Sequence, residues 1–431
     1  MKKQSSKQYD VAIIGGGLVG ASLACALAPL GLSIVLIEAV PFKASSQPSY
    51  DDRTLALSAS SCQILKGLGI WPLLQENATA IREIHVRELN RPGRVVLTPE
   101  ELGLDRFGHV VEAREFGAAV TGLLPELGNL DICCPASIVS LECSEDGAGI
   151  VLDNEGEQLQ LQARLVVGAD GAHSFIRESL GIETERHDYQ QTAVICNITP
   201  ERDHRGRAFE CFTPSGPFAV MPHVGGRCGL IWCVHTDDAR ELLELPDQEF
   251  LRRAQERFGG ILGEFMNSGR RSSYPLQLVR AHEDIRPGVV ILGNAAHAIH
   301  PIGAQGFNLG LRDAAVLAEV LYDELSSGKQ RPIGSIEVLE RYSKWRAPDQ
   351  QGTIAQSDGL ARIFANPSPL AAAVRTAGLF AHALLPPLRR QLAVKAMGFR
   401  GDIPRLALGE SLSLASTSGA ESRQAVDAGA K

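Results

Sequence analysis

The amino-acid sequence predicts an α/β protein: a doubly wound parallel sheet, a second β-sheet domain interleaved with it, and C-terminal helices. Three observations carry this. A Gly-x-Gly-x-x-Gly turn lies between two short apolar runs within 11–37. Strand, glycine-bearing loop and helix recur far downstream, at 163–182 and 288–321. Between those returns, from 189 to about 274, the texture changes to alternating strands such as TAVICNI, RAFECF, FAVMP and RCGLIWCV, with one helix near 247–258.

Residues 11–14 form an apolar run long enough for one buried parallel strand. Gly15, Gly17 and Gly20 follow. The first permits a tight turn, the second lets backbone approach a pyrophosphate, and the third lets the next helix pack closely on the strand. Residues 21–30 read as that helix, with Leu23, Leu27 and Leu30 on one face and Gly31 as its stop. Its N-terminus offers free N–H groups and a partial positive charge to a phosphate. Residues 33–37 are a second apolar strand, and Glu38 ends it where an acid takes a ribose hydroxyl in dinucleotide folds. A glycine-rich turn alone is weak; the order strand, turn, helix, strand, acid makes it a Rossmann-like nucleotide site.

Downstream, 84–97 reads as a β-hairpin turning at Arg91-Pro92-Gly93, 112–124 as a helix, and 132–161 as short strands around Gly147 and Gly156. Of the three glycine-bearing loops only the first opens like a nucleotide fold. One large cofactor wrapped by all three accounts for them, and no second Gly-x-Gly-x-x-Gly marks a separate nicotinamide domain. The expected organisation is a discontinuous cofactor domain over 1–83, 101–182 and 275–330 and a substrate domain over 84–100 and 183–274. A helical region over 331–407 and a disordered tail over 408–431 complete it.

A net charge of −8 argues against general nucleic-acid binding, and no run of apolar residues is long enough to span a bilayer. The nine cysteines show no C-x-x-C and no metal-ligand spacing, so no metal is expected. Asp10 and the triple glycine break the apolar core that a signal peptide needs, so the thiols read as reduced and the protein as cytoplasmic. Against this acidic whole, 359–401 holds six basic residues and no acid: Arg362, Arg375, Arg389, Arg390, Lys395 and Arg400. With Leu379, Phe380, Leu384 and Leu388 the segment is either an amphipathic surface for lipid or a partner, or a packed helix pair with a solvated basic face. Trp232 and Phe218 either line a cavity or belong to a core; Cys133 and Cys134 read as packing residues.

Asp170, Gly171, Ser174 and Arg177 spell D-G-x-x-S-x-x-R. Gly293-Asn294-Ala295-Ala296-His297 is similar to G-D-A-A-H, with Asn for Asp, and HPIGAQGFNLGLRD (300–313) to P-x-x-G-Q-G-x-N-x-x-x-x-D. Together with the first loop, these resemble the motifs of the single-component FAD-dependent aromatic hydroxylases, the p-hydroxybenzoate hydroxylase fold. GRAFECFTPSGPFAVMP, RCGLIWC, SSYPL and GNAAHAIHPIGAQGFNLGLRD carry a closer resemblance, over about 9–400, to the ubiquinone-biosynthesis hydroxylases, and among these to the 2-octaprenyl-6-methoxyphenol hydroxylases.

The resemblance implies FAD as cofactor, NADPH or NADH as reductant and O2 as co-substrate. It places Gly15, Gly17 and Gly20 at the pyrophosphate, Glu38 at the adenosine ribose, Arg53 beside the flavin phosphates and ring, and Asn294, after Gly293, at the ribityl chain. Asp170, with Gly171, serves FAD and nicotinamide. Gly306, Phe307 and Asn308 offer backbone N–H groups to the flavin N1–C2=O edge. Pro301 lies near C4a and N5, where oxygen reacts, with His300 beside it. The family's Arg or Gln ahead of an F-x-x-x-V helix falls at Ala113 or Arg114, and Arg114 is the candidate. His297 and His300 are either flavin-proximal or ordinary turn residues.

The implied reaction adds O2 at reduced flavin C4a and passes electrophilic oxygen to a phenol ring in a dry cavity. The expected substrate is a prenylated phenol, 2-polyprenyl-6-methoxyphenol hydroxylated at C1. Another ring position, a small soluble phenol, and a non-catalytic flavin-binding subunit of a biosynthetic complex are the other readings. The missing W-x-W-x-I-P stretch separates the chain from flavin-dependent halogenases. The first of the two readings of the basic C-terminal helices would bring them against the inner membrane face or other ubiquinone-biosynthesis proteins, the second would not, and homo-oligomers are compatible with either.

Overall fold

The structure, a computed structural model, describes residues 7–43, 47, 49, 51–144, 147–328 and 331–414. Its first sheet is centred on Lys7–Ile14. The parallel strands lie in the order Val289–Ile291, Glu157–Gly168, Lys7–Ile14, Ile34–Ile37, Leu130–Cys133. Successive strands run outward on one side and the later ones on the other, so the order reverses beside Lys7–Ile14. Ligands of such sheets sit at this switch point, beyond the carboxyl ends of the strands.

Both faces of the sheet are covered, which is why its strands read as unbroken apolar runs. Val11 and Ile13 pack toward the helices Leu18–Leu27 and Gln305–Ser326. Ala12 and Ile14 pack on the other side, against Ala148, Ile150 and Leu152 of Gly147–Asn154, which with Ser137–Ser144 forms an antiparallel extension of Glu157–Gly168.

The second sheet runs His297–Ala298, Ser272–Ala281, Thr184–Pro200, Cys228–His235, Gly216–Pro222, Arg207–Thr213, Glu83–Glu88, Arg94–Leu97. Glu83–Glu88 and Arg94–Leu97 are the antiparallel hairpin read in the sequence. Ser272–Ala281 stays in this sheet past residue 275; Pro275 is accommodated because only Val279 and Arg280 have a neighbour on that edge. One face packs on two helices, Thr236–Glu244 and Asp247–Phe258. The first of these was not expected, since Ala239 and Leu242 are its only buried residues. Trp232 and Phe218 lie in this core with Phe250 and Phe258. They do not face a cavity, because strand alternation turns Ile231 and Cys233 the other way.

The opposite face is roofed by the helices Ile336–Ala365, Pro369–Leu384 and Pro386–Ala396. The chain then returns to the first domain, where Leu406, Ala407 and Leu412 are buried in its core. Order therefore extends past the expected boundary at Leu408 because Leu412 has a core to join; residues 415–431 of the expected tail lie outside the described residues. Among the described residues no helix is long and apolar enough to cross a membrane.

Candidate active site

At the switch point the backbone leaves no room for side chains. Gly15 has φ +101°, and a Cβ there would stand 2.5 Å from the Ala169 carbonyl oxygen. A Cβ on Gly20 would lie 1.9 Å from the Gly15 oxygen. Leu18–Leu27 begins after Gly17 with no side-chain cap, which keeps its first-turn N–H groups open to a phosphate. Glu38 is fixed at the end of Ile34–Ile37, accepting from Gly16 N at 2.6 Å and Val40 N at 2.8 Å.

The Asp170–Gly171 turn lies across the crevice. One Asp170 oxygen accepts from Ile176 N at 3.1 Å; the other is buried without a partner, and burial pushes the carboxyl pKa up. Ser174 caps the short helix Phe175–Ser179. Arg177, buried, donates to the carbonyls of Ala172 and Ala295 at 2.7 Å each, clamping this turn to the Gly293 loop.

That loop is anchored in turn on Asp313. Asp313 Oδ2 accepts from Gly293 N at 3.1 Å and faces His297 Nε2 at 2.7 Å. Its Oδ1 accepts from Arg346 Nε at 2.7 Å and Gln350 Nε2 at 3.1 Å. Burial by itself would raise this carboxyl, but facing His297 and Arg346 hold it well below the usual carboxylate range. Asn294 is exposed beside Gly293.

The far end of the crevice, where the resemblance puts the flavin ring, is the start of Gln305–Ser326. Its N-cap, Ala304, stands where the family signature has glycine and takes φ 50°; no side chain caps the helix. The first-turn N–H groups of Gly306 and Phe307 have no intrahelical acceptor. The Asn308 side chain acts separately. It donates to the carbonyls of Ala56 and Ala304 at 2.7 Å and accepts from Ser58 N and Ser61 Oγ. It thereby ties the strand Thr54–Ser58 to the loop. His300 is buried, with Nε2 3.1 Å from Gln191 Oε1 and Nδ1 accepting from Ile302 N. Desolvation lowers its pKa to about 4, so at neutral pH the ring is uncharged with both nitrogens engaged. It orients the Pro301 turn. Arg53 is held by Asp51 at 2.7 Å and lies over the Tyr274 ring at 4.8 Å. Of the two positions open for the family's Arg or Gln, Ala113 is buried with its N–H on the Arg53 carbonyl. Arg114 is half-exposed and pairs with Asp52 at 2.5 Å and Glu112 at 2.7 Å.

From Pro301–Gln305 a cavity of about 540 Å³ runs between the second sheet and the C-terminal helices. Ile84, Val86, Phe212, Ala219, Leu379 and Leu392 represent its apolar wall, and Glu210 is its one acid among the described residues. Sequence reasoning passed over Glu210, although an acid on the face shared by Ala208 and Phe212 breaks the RAFECF pattern. Asp313 and Arg177 stand within motifs whose spacing does not show the partners they hold.

The residues fit FAD: a backbone cradle that a Cβ would fill, an orphaned Asp170 oxygen in the crevice, and uncapped helix N-termini at its phosphate and ring ends. Fold and site define a flavin-dependent aromatic hydroxylase. The FAD binding domain family model matches residues 8–357. The ubiquinone hydroxylase UbiL of Rhodospirillum rubrum is 37% identical over 394 residues, covering 91% of this chain and 90% of its own. The 3-demethoxyubiquinol 3-hydroxylase of Escherichia coli is 32% identical over 401 residues, covering 91% and 100%. Among solved structures, p-nitrophenol 4-monooxygenase PnpA of Pseudomonas putida superposes with a TM-score of 0.75 over 91% of this chain and 100% of its own; at 20% identity it attests the fold. The chain belongs to the ubiquinone-biosynthesis hydroxylase family of FAD-dependent monooxygenases.

Two outcomes follow from the geometry. Gly15→Val forces side-chain atoms into the Ala169–Asp170 backbone, so purified protein should lack flavin absorbance while keeping its far-ultraviolet circular dichroism. Asp313→Ala leaves Arg346 buried without this partner and should cost about 3–5 kcal/mol in urea unfolding at pH 7. The Asp313 pKa is depressed, so its contribution is present above the unfolded carboxylate value and fades as pH falls below it.

Proposed function

We propose that the chain hydroxylates a polyprenylated phenol, 2-polyprenyl-6-methoxyphenol at C1. The observation that carries this reading is the apolar cavity, which begins at the ring end of the flavin site and continues under the C-terminal helices. One aromatic ring does not need that length; a ring with an isoprenoid tail does. FAD, when bound and reduced by NAD(P)H, supplies the electrons and the site at which O2 becomes an electrophilic oxygen donor. The chain supplies the rest. Gly306 and Phe307 N–H groups would face the ring edge of bound FAD, where negative charge collects. The cavity wall excludes water that would divert oxygen to peroxide. At the tail end, Arg375 is neutralised by Glu88 at 2.9 Å, so its charge does not face the tail unpaired. A phenol is most electron-rich ortho and para to its hydroxyl, and C1, numbered as in the quinone ring, is that para carbon, C4 of the phenol. A second reading, another ring carbon of the same pathway, draws support from the relative named for hydroxylation at position 3.

Binding should strengthen with tail length, by about 0.8 kcal/mol per buried CH₂. Coupled NAD(P)H oxidation with product analysis should therefore show hydroxylation of a short-chain prenyl methoxyphenol and mostly peroxide with 4-hydroxybenzoate. Coupled turnover of 4-hydroxybenzoate alone would sink this reading, and product hydroxylated at another carbon would transfer it to the second.

The proposed route for the tail is a lipid surface against the C-terminal helices, where Leu370 is 76% and Leu384 73% exposed. Four of the six basic residues are already engaged: Arg362 with Asp358, Arg375 with Glu88, Arg389 with Glu101 and Arg400, by a hydrogen bond, with Gln356. Arg390 and Lys395 have no ion pair among the described residues. Leu384→Asp with Leu385→Asp should reduce co-sedimentation with phosphatidylglycerol vesicles at all salt concentrations. Arg390→Gln with Lys395→Gln should reduce it chiefly at low salt. Unchanged sedimentation of both variants would favour a packed helix pair.

A further inference from the structure

Glu210 stands in the middle of Arg207–Thr213, on the face that lines the cavity. Its cross-strand neighbours are Val86 on one side and Ala219 on the other, and Ile231 follows Ala219 in the same row. Its carboxylate makes no hydrogen bond or ion pair among the described residues. The surface it retains faces the cavity, and burial alone raises its pKa to about 7. The charged or titratable groups on surrounding walls are Cys233 on Cys228–His235, and Arg375, His382, Lys395 and Arg400 on or after the C-terminal helices. Arg375 is paired with Glu88, and His382 Nδ1 is 2.8 Å from the Gly378 carbonyl. The Cys233 thiol is pushed upward by burial and then by Glu210 itself. Phe212, two residues along the same face, clusters with Ile302 of the Pro301 turn. One strand repeat of about 7 Å therefore separates Glu210 from a side chain that shares a cluster with Ile302, next to Pro301.

A lone carboxylate in an apolar wall gains nothing for the fold. We propose that Glu210 is a catalytic residue that takes the proton from the substrate's phenolic hydroxyl and later returns it. The phenol O–H bond breaks, a carboxyl O–H bond forms, and the negative charge moves onto the phenolate, which is the better nucleophile toward electrophilic oxygen. As the new C–O bond forms, the O–O bond of the oxygen donor breaks, its electron pair leaves with the donor's other oxygen to end as water, and the ring becomes a dienone. Loss of the ring proton to water and return of the Glu210 proton to the dienone oxygen restore the aromatic ring. The role rests on the phenol reading above.

The test compares FAD-loaded wild type with Glu210→Gln, matched for flavin content, on a short-chain prenyl methoxyphenol. Wild-type hydroxylation should fall below about pH 7 as the carboxylate is protonated. Glu210→Gln should hydroxylate about 10²-fold more slowly or worse, without that acid limb, at little-changed KM. Tm gives a readout free of substrate. Between the ordinary glutamate value of 4.5 and about 7 the folded state keeps a proton that the unfolded chain has released, so wild-type stability falls as pH rises through that window. The Tm of Glu210→Gln should exceed that of wild type at pH 8 but not at pH 4.5. A wild-type rate and pH profile in Glu210→Gln, or a Tm difference independent of pH, overturns the role alone. A wild type that hydroxylates no phenol overturns the functional reading, and this role with it.

Discussion

The site depends on one buried carboxylate. Asp313 accepts from four donors that come from the Gly293 loop, His297 and the helix Ile336–Ala365. A buried charge is tolerated only when paired and hydrogen-bonded, so these segments hold one another in place. Through Arg177 the clamp reaches the Asp170 turn, and through that turn the glycine crevice of the first strand. The same helix walls the cavity. Cofactor geometry and substrate space are thus set by one polar network rather than by independent parts.

Chemistry in this cavity is governed by what is kept uncharged. His300 is held neutral in two hydrogen bonds, and Arg375 is matched by Glu88. With the sheet's apolar face turned inward, few groups remain to bring water to the ring. The Trp232 core on the other face of the same strands stiffens that wall without touching its contents.

The first loop was legible because each requirement there is local: a glycine needs φ > 0 or a close approach, and an acid ends the next strand. The downstream motifs were legible as patterns but not as parts. Asp313 was visible in its signature, yet its partners Arg346 and Gln350 lie 33 and 37 residues further on, where no spacing rule reaches. Glu210 was a single acid in a short apolar strand, and only the sheet shows which face it shares. The one-residue ambiguity at Ala113 and Arg114 is of the same kind, since a strand-to-helix junction sends neighbouring side chains in different directions. Trp232 and Phe218 needed the helices behind them before core could be told from cavity wall.

The strand order also sets a timetable. Val289–Ile291 closes one side of a sheet whose central strand is Lys7–Ile14, so the crevice lacks its Gly293 wall until that late segment has been made. At about 10 residues per second of synthesis, the glycine turn waits roughly half a minute for it. During that interval the early strands expose apolar edges and faces, and parallel pairing across such separations is slow. The crevice can therefore close around a dinucleotide only after its Gly293 wall has been made, late in the chain's synthesis.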